Sequence, residues 1–165
     1  MLLYHYTSHV FLPLIQKEGL SLGTVLINLR DRMNAVWLTH DPTAADHGLA
    51  PDPEICDELS RKRGRQVRMT NKLAVRISVK IPPNDQRRLV YWPKWAKSRL
   101  DPAFYDVLAK TGGNMENTWW LYWGVTPPAW FIAIDELEPP IENDLKVQEA
   151  LANGTARCID VPGIW

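Results

Sequence analysis

The stretch from Leu73 to Ile81 constrains the fold most. Leu73, Val75, Ile77, Val79 and Ile81 alternate with Ala74, Arg76, Ser78 and Lys80, and a two-residue period marks a strand with one apolar face. Pro82-Pro83-Asn84-Asp85 ends it, because proline cannot donate to a strand ladder. Other segments read as companions. Leu2 to Thr7 leads two apolar residues into a His-aromatic-hydroxyl cluster, and Ala35 to Thr39 reads as a buried strand ended by His40-Asp41-Pro42. Arg88 to Trp92, Thr118 to Val125, Trp130 to Ile134 and a final extended piece from Arg157 to Val161 complete the set. The aromatic run of Thr118 to Val125 predicts a strand covered on both faces.

Helices are fewer. Val10, Phe11, Leu14 and Ile15 recur at helical spacing before Gly19, and Pro13 fits only a first turn, so a helix is expected from about His9. Asp41 followed by Pro42 predicts a short helix through Ala44 and Ala45 to about His47. Asp101-Pro102 opens another through Phe104, Tyr105, Val107 and Leu108, stopping at Gly112-Gly113, and Leu145 to Leu151 forms a weak one. Residues 21 to 34 read as loop. Residues 49 to 72, with Arg61-Lys62-Arg63-Gly64-Arg65, read as a solvent-exposed excursion or flexible insertion. The sum is one α+β domain over 1–165, with split, mostly antiparallel sheets and a few short helices.

Nineteen basic and nineteen acidic residues cancel, so no global field draws the chain to nucleic acid or membrane. No apolar run approaches membrane-spanning length, and Cys56 and Cys158 lie far apart in no metal-ligand spacing. Two free thiols and no basic segment ahead of an apolar one make a cytoplasmic protein the expectation. His5 and His9 share a metal-ligand spacing but straddle a strand-to-helix break, so no metal is expected. Eight tryptophans are many for 165 residues, and five fall between Trp92 and Trp123.

His5 and Thr7 sit two apart on an extended backbone, so they share a face. They lie where a strand feeds a helix, and there backbone N–H groups and short polar side chains converge. Tyr4-His5-Tyr6-Thr7, the apolar helix ending Glu18-Gly19-Leu20, and Val36-Trp37-Leu38-Thr39 with Pro42 to His47 after it resemble the ADP-ribosyltransferase-like fold. The resemblance covers roughly the first third of the chain. It implies that His5 contacts the ribose or carboxamide of NAD and that Thr7 and the backbone beside it bind the cofactor. It also implies that Trp37 or Tyr6 stacks on or supports the nicotinamide, and that Thr39 sits near the ribose-phosphate.

Cleavage of the nicotinamide–ribose bond passes through an oxocarbenium-like state that a carboxylate stabilises. Glu116, just ahead of Thr118-Trp119-Trp120, is the candidate, with Asp135 and Glu136 as alternatives. The resemblance thus implies transfer of ADP-ribose from NAD to a protein or nucleic-acid acceptor. The alternatives are a non-catalytic nucleotide- or protein-binding domain on the same scaffold, or an activity similar to RNA 2'-phosphotransferases. In the last case Arg76, mid-strand on the face opposite the apolar residues, would hold phosphate.

Overall fold

A computed structural model describes residues 1–21, 23–27, 31–43, 45, 47, 49, 57, 61, 70–111, 116–140 and 142–154. Its frame is a six-stranded sheet built from β1 (Leu2–Thr7), β4 (Val36–Thr39), β5 (Val75–Lys80), β6 (Leu89–Tyr91), β7 (Trp119–Tyr122) and β8 (Phe131–Glu136). The strand order is β6-β7-β4-β1-β5-β8, and every neighbouring pair is antiparallel. The alternating stretch does become a strand, one with Val75, Ile77 and Val79 fully buried. It pairs with β1 at six positions, including His5 with Ile77 and Tyr6 with Arg76.

Partnered residues share a face, and this register sorts the side chains. On one face, Leu3, Val36, Leu38, Val75, Ile77, Val79 and Tyr122 form a core with Leu12 and Ile15 of α1 (Leu12–Glu18). The opposite face, at the β4–β7 end, packs Leu121 with Val25 and the apolar side of α2 (Trp92–Arg99). Trp37, Trp119 and α3 (Pro102–Thr111) pack against that second core. The covering on both sides is why β7 reads as a continuous aromatic run. Helix α4 (Glu142–Ala152) follows β8.

Several expectations need correction. Residues 21 to 34 are not simply loop: β2 (Thr24–Leu26) and β3 (Arg32–Asn34) form a separate antiparallel pair. Three-residue strands are too short for a period to register. The first helix starts at Leu12, not His9, because Phe11 N–H and Leu12 N–H bond back to Ser8 and His9 carbonyls in a preceding turn. Pro42 and Thr43 are not helical, because the Asp41 carboxylate instead closes a tight turn on the Thr43 N–H at 2.9 Å. Helix α2 was missed, although Trp92, Trp95, Ala96 and Leu100 recur at helical spacing and Pro93 suits a first turn. Strand β8 runs two residues past the expected Ile134, with Asp135 and Glu136 as its last two residues. Most of the 49–72 excursion, the rest of the expected 41–47 helix, the Gly112-Gly113 stop, the 157–161 strand, Cys56 and Cys158 lie outside the described residues.

The turn after α1 anchors the fold across the sheet end. Gly19 takes φ 84° and ψ −176°, and the next residue, Leu20, exchanges backbone hydrogen bonds with Thr126 at 2.9 Å. A Cβ on Gly19 would collide with the Thr126 carbonyl, whereas one on Gly154, at φ 68°, would meet nothing. Gly154→Ala should therefore cost only the left-handed penalty of about 1–2 kcal/mol. Gly19→Ala should cost clearly more, about 3 kcal/mol or above. Urea unfolding of the two variants measures this, and equal losses would show that the Gly19–Thr126 approach is not held in solution.

Candidate functional site

Strand β1 has unlike neighbours. It pairs with β5 at six positions but with β4 at only one, Tyr4 with Thr39. Beyond that bridge a side chain replaces the ladder. The Nδ1 of His5 lies 2.9 Å from the Trp37 carbonyl oxygen. A carbonyl only accepts, so Nδ1 carries the proton. Burial lowers the His5 pKa below its ordinary 6.5, the Trp37 hydrogen bond raises it in part, and the Lys72 ammonium lowers it again. The neutral ring therefore presents Nε2 as a bare acceptor, and the side chain is only half-buried.

The face bearing Tyr6, Trp37 and Thr39 carries a second, tighter arrangement. Trp119 Nε1–H donates to His47 Nδ1 at 3.0 Å, so His47 holds its proton on Nε2, which faces Asp41 Oδ2 at 3.3 Å. The other Asp41 oxygen accepts from the N–H and hydroxyl of Thr43 at 2.9 and 2.8 Å. Burial pushes the Asp41 carboxyl up, but the Thr43 and His47 contacts outweigh it and the net shift is downward. His47 is 5% exposed and stacks 6.4 Å from the Trp119 ring, with the Tyr6 ring 6.1 Å away. Both of its nitrogens are occupied, so it orders the site and is not free to act as a general base. Sequence reasoning missed this role of His47, because Trp119, which fixes its tautomer, lies 72 residues away.

Tyr6 is buried, and its hydroxyl donates to the Asp41 carbonyl at 3.3 Å. Its pKa is pushed up to about 12, chiefly by burial, against the lowering charge of Arg76. The phenol thus stays protonated across the physiological range. Trp37 donates from Nε1 to the Thr24 carbonyl at 3.0 Å and meets Trp119 edge-on at 5.7 Å. Thr39 gives its proton to Thr118 Oγ1 at 2.8 Å and accepts from Asp41 N–H at 3.0 Å.

The expected residues therefore fall into groups. Tyr6, Trp37 and Thr39 share one face, while His5 and Thr7, by alternation and by the pairing of His5 with Ile77, lie on the other. The two sets meet only at the open seam between β1 and β4. Glu116 lies in the short turn before β7, half-buried, with Oε2 unbonded among the described residues. It is two residues from Thr118, the partner of Thr39. Asp135 pairs with Arg76, whose Nε and Nη2 reach Oδ2 at 3.1 and 3.0 Å. Arg76 also donates to the Pro42 carbonyl at 2.6 Å and lies 5.5 Å over the Tyr4 ring. Glu136 is exposed and 3.9 Å from His9. His9 itself is buried, with Nε2 donating to the Glu138 carbonyl at 2.6 Å. Among the described residues no group of three His, Cys, Asp or Glu side chains is placed to hold a metal ion. No helix of the described residues is long and apolar enough to cross a membrane.

Two measurements test this geometry. Between its lowered folded value and 6.5, His5 binds fewer protons folded than unfolded, so its share of stability is present above 6.5 and lost as pH falls through the folded value. His5→Asn should flatten the fall of unfolding free energy below neutral pH, and an unchanged slope would refute the lowered value. Trp119→Phe should cost about 1–3 kcal/mol, from the lost hydrogen bond and ring volume, and change the ring-nitrogen NMR shifts of His47, whose Nδ1 loses its donor. Imidazole NMR shifts that stay the same in this variant would refute the assigned tautomer. The chain matches no protein-family model, no curated protein and no solved structure.

Proposed function

We propose that the chain is an ADP-ribosyltransferase-like enzyme that binds NAD at the β1–β4 seam and transfers ADP-ribose to a protein or nucleic-acid acceptor. The observation that carries this reading is the His5–Trp37 carbonyl bond. It holds the imidazole in one tautomer, which leaves Nε2 as an acceptor that in this reading meets a ribose hydroxyl, where β1 and β4 share a single paired position. A parted pair of central strands leaves room at the seam for a flat amide such as nicotinamide to meet backbone polar groups. Tyr6 on β1 and Trp37 on β4 carry aromatic rings on the two strands that flank that seam, packed against His47 and Trp119.

In this reading nicotinamide leaves with the electron pair of the glycosidic bond. Glu116 stabilises the positive charge that develops on the ribose, and an acceptor nucleophile closes the bond to the anomeric carbon. Its unbonded Oε2 suits a carboxylate with charge to offer.

A second reading, nucleotide binding without turnover, is favoured by Thr39 and Asp135. The Thr39 hydroxyl is already spent on Thr118 and Asp41, and the Asp135 carboxylate is spent on Arg76. The phosphotransferase-like reading draws less support, because a phosphate would have to displace Asp135 from the guanidinium edge.

NAD at a hundred times its Kd should stabilise the fold by about 2.7 kcal/mol, read as a rise in melting temperature, with release of free nicotinamide. Glu116→Gln should keep the rise and lose nicotinamide release by about a hundredfold or more. A rise without any release in the unmodified chain would select the binding-only reading. No rise and no release would overturn both.

A further inference from the structure

One corner of the molecule has a charge imbalance that the whole chain lacks. From Gln86 to Leu100 the sequence holds Arg87, Arg88, Lys94, Lys97 and Arg99 and no acid, in a chain of zero formal charge. All five cations are exposed. Two of them, Arg88 and Arg99, come from the segments that carry a pair of indoles or adjoin it. Trp95 on α2 packs against Trp123, just past β7, at 5.7 Å and 54°, and both rings stay half-buried. Arg88 is tied to this pair by its carbonyl, which accepts from Trp123 N–H at 3.0 Å. Its guanidinium lies over Gly124, where a side chain would stand 3.3 Å from Nη1. Arg99 follows Trp95 by one helical turn on α2, and Lys97 extends over the Tyr105 ring at 5.8 Å. The nearest acids in sequence are directed elsewhere. Asp101 caps α3 through the Ala103 N–H at 2.9 Å, and Asp85 sits half-buried in the turn before β6.

From this we infer that the corner formed by Arg88, α2 and Trp123 binds single-stranded nucleic acid, with the cations on phosphates and bases against the Trp95–Trp123 pair. Cations alone would serve any polyanion. Interleaved indoles add what a single strand offers and an acidic peptide does not, which is flat unpaired bases to stack. A duplex hides those faces inside its own stack. The surface is separate from the β1–β4 seam and does not depend on what that seam binds.

The test is anisotropy titration of the full chain with a short labelled oligo-dT and the matching oligo-U, without NAD, so that failure here leaves the nucleotide reading untouched. Saturable binding is expected. Its log-affinity should fall with log salt at about −0.7 per phosphate contacted, hence a slope of about −2 to −3.5 for three to five contacts. Lys94→Glu combined with Arg99→Glu, both on exposed positions, should weaken binding tenfold or more with the melting temperature unchanged. Trp95→Phe, which keeps an aromatic ring, should weaken it less than Trp95→Ala. Unsaturable binding at low salt, equal affinity for the charge-reversed variant, or equal binding of a duplex, heparin or polyglutamate would overturn the proposal.

Discussion

The central strand of this protein is held by two neighbours on very different terms, and much of the molecule follows from that inequality. On the β5 side the ladder is complete and backed by fully buried Val75, Ile77 and Val79. Burying such side chains is worth about 1.5–3 kcal/mol each, so that side is rigid. On the β4 side a single paired position is followed by an imidazole on the Trp37 carbonyl. A side-chain hydrogen bond satisfies the carbonyl without closing the ladder. The pairing thus stops after one position without leaving the Trp37 carbonyl unsatisfied.

Polar chemistry beside the seam is mostly committed to structure. Asp41 binds Thr43 and His47, His47 binds Trp119, and Thr39 binds Thr118 and Asp41. These bonds turn the chain sharply after β4 and lay Pro42 against Arg76, which is fixed in turn by Asp135 on β8. One network thus spans β4, β5, β7 and β8. Low dielectric strengthens such a network when each member is paired, and here the pairing holds the surroundings of Tyr6 and Trp37 in place. Glu116 differs from these in having a buried oxygen, Oε2, with no hydrogen bond among the described residues.

The aromatic wealth of the chain serves two ends. Trp92 is fully buried and stacks on Tyr105 at 5.2 Å, closing α2 and α3 over the sheet. Trp95 and Trp123 stay half-buried at the edge of the same layer, where exposed arginines and lysines surround them. An indole at such a margin covers apolar surface with one side and offers the other to solvent or a partner.

Much of the frame was legible from local pattern. Alternation marked β5, the aromatic run marked β7, Asp101-Pro102 marked α3, and the apolar opening marked β1, because these signals repeat within a few residues and report burial directly. Strands β2 and β3 escaped for want of length, and α2 escaped because its first residue, Trp92, also closes the extended stretch expected from Arg88. What only the tertiary structure decided is which groups meet: His5 with the Trp37 carbonyl, His47 with Trp119, Arg76 with Asp135, and the Arg88 carbonyl with the Trp123 N–H. Each joins segments far apart in the chain, and no local period encodes such a pair. Alternation told that His5 and Thr7 share a face. Only the strand order, with β1 between β4 and β5, put Thr39 on the other.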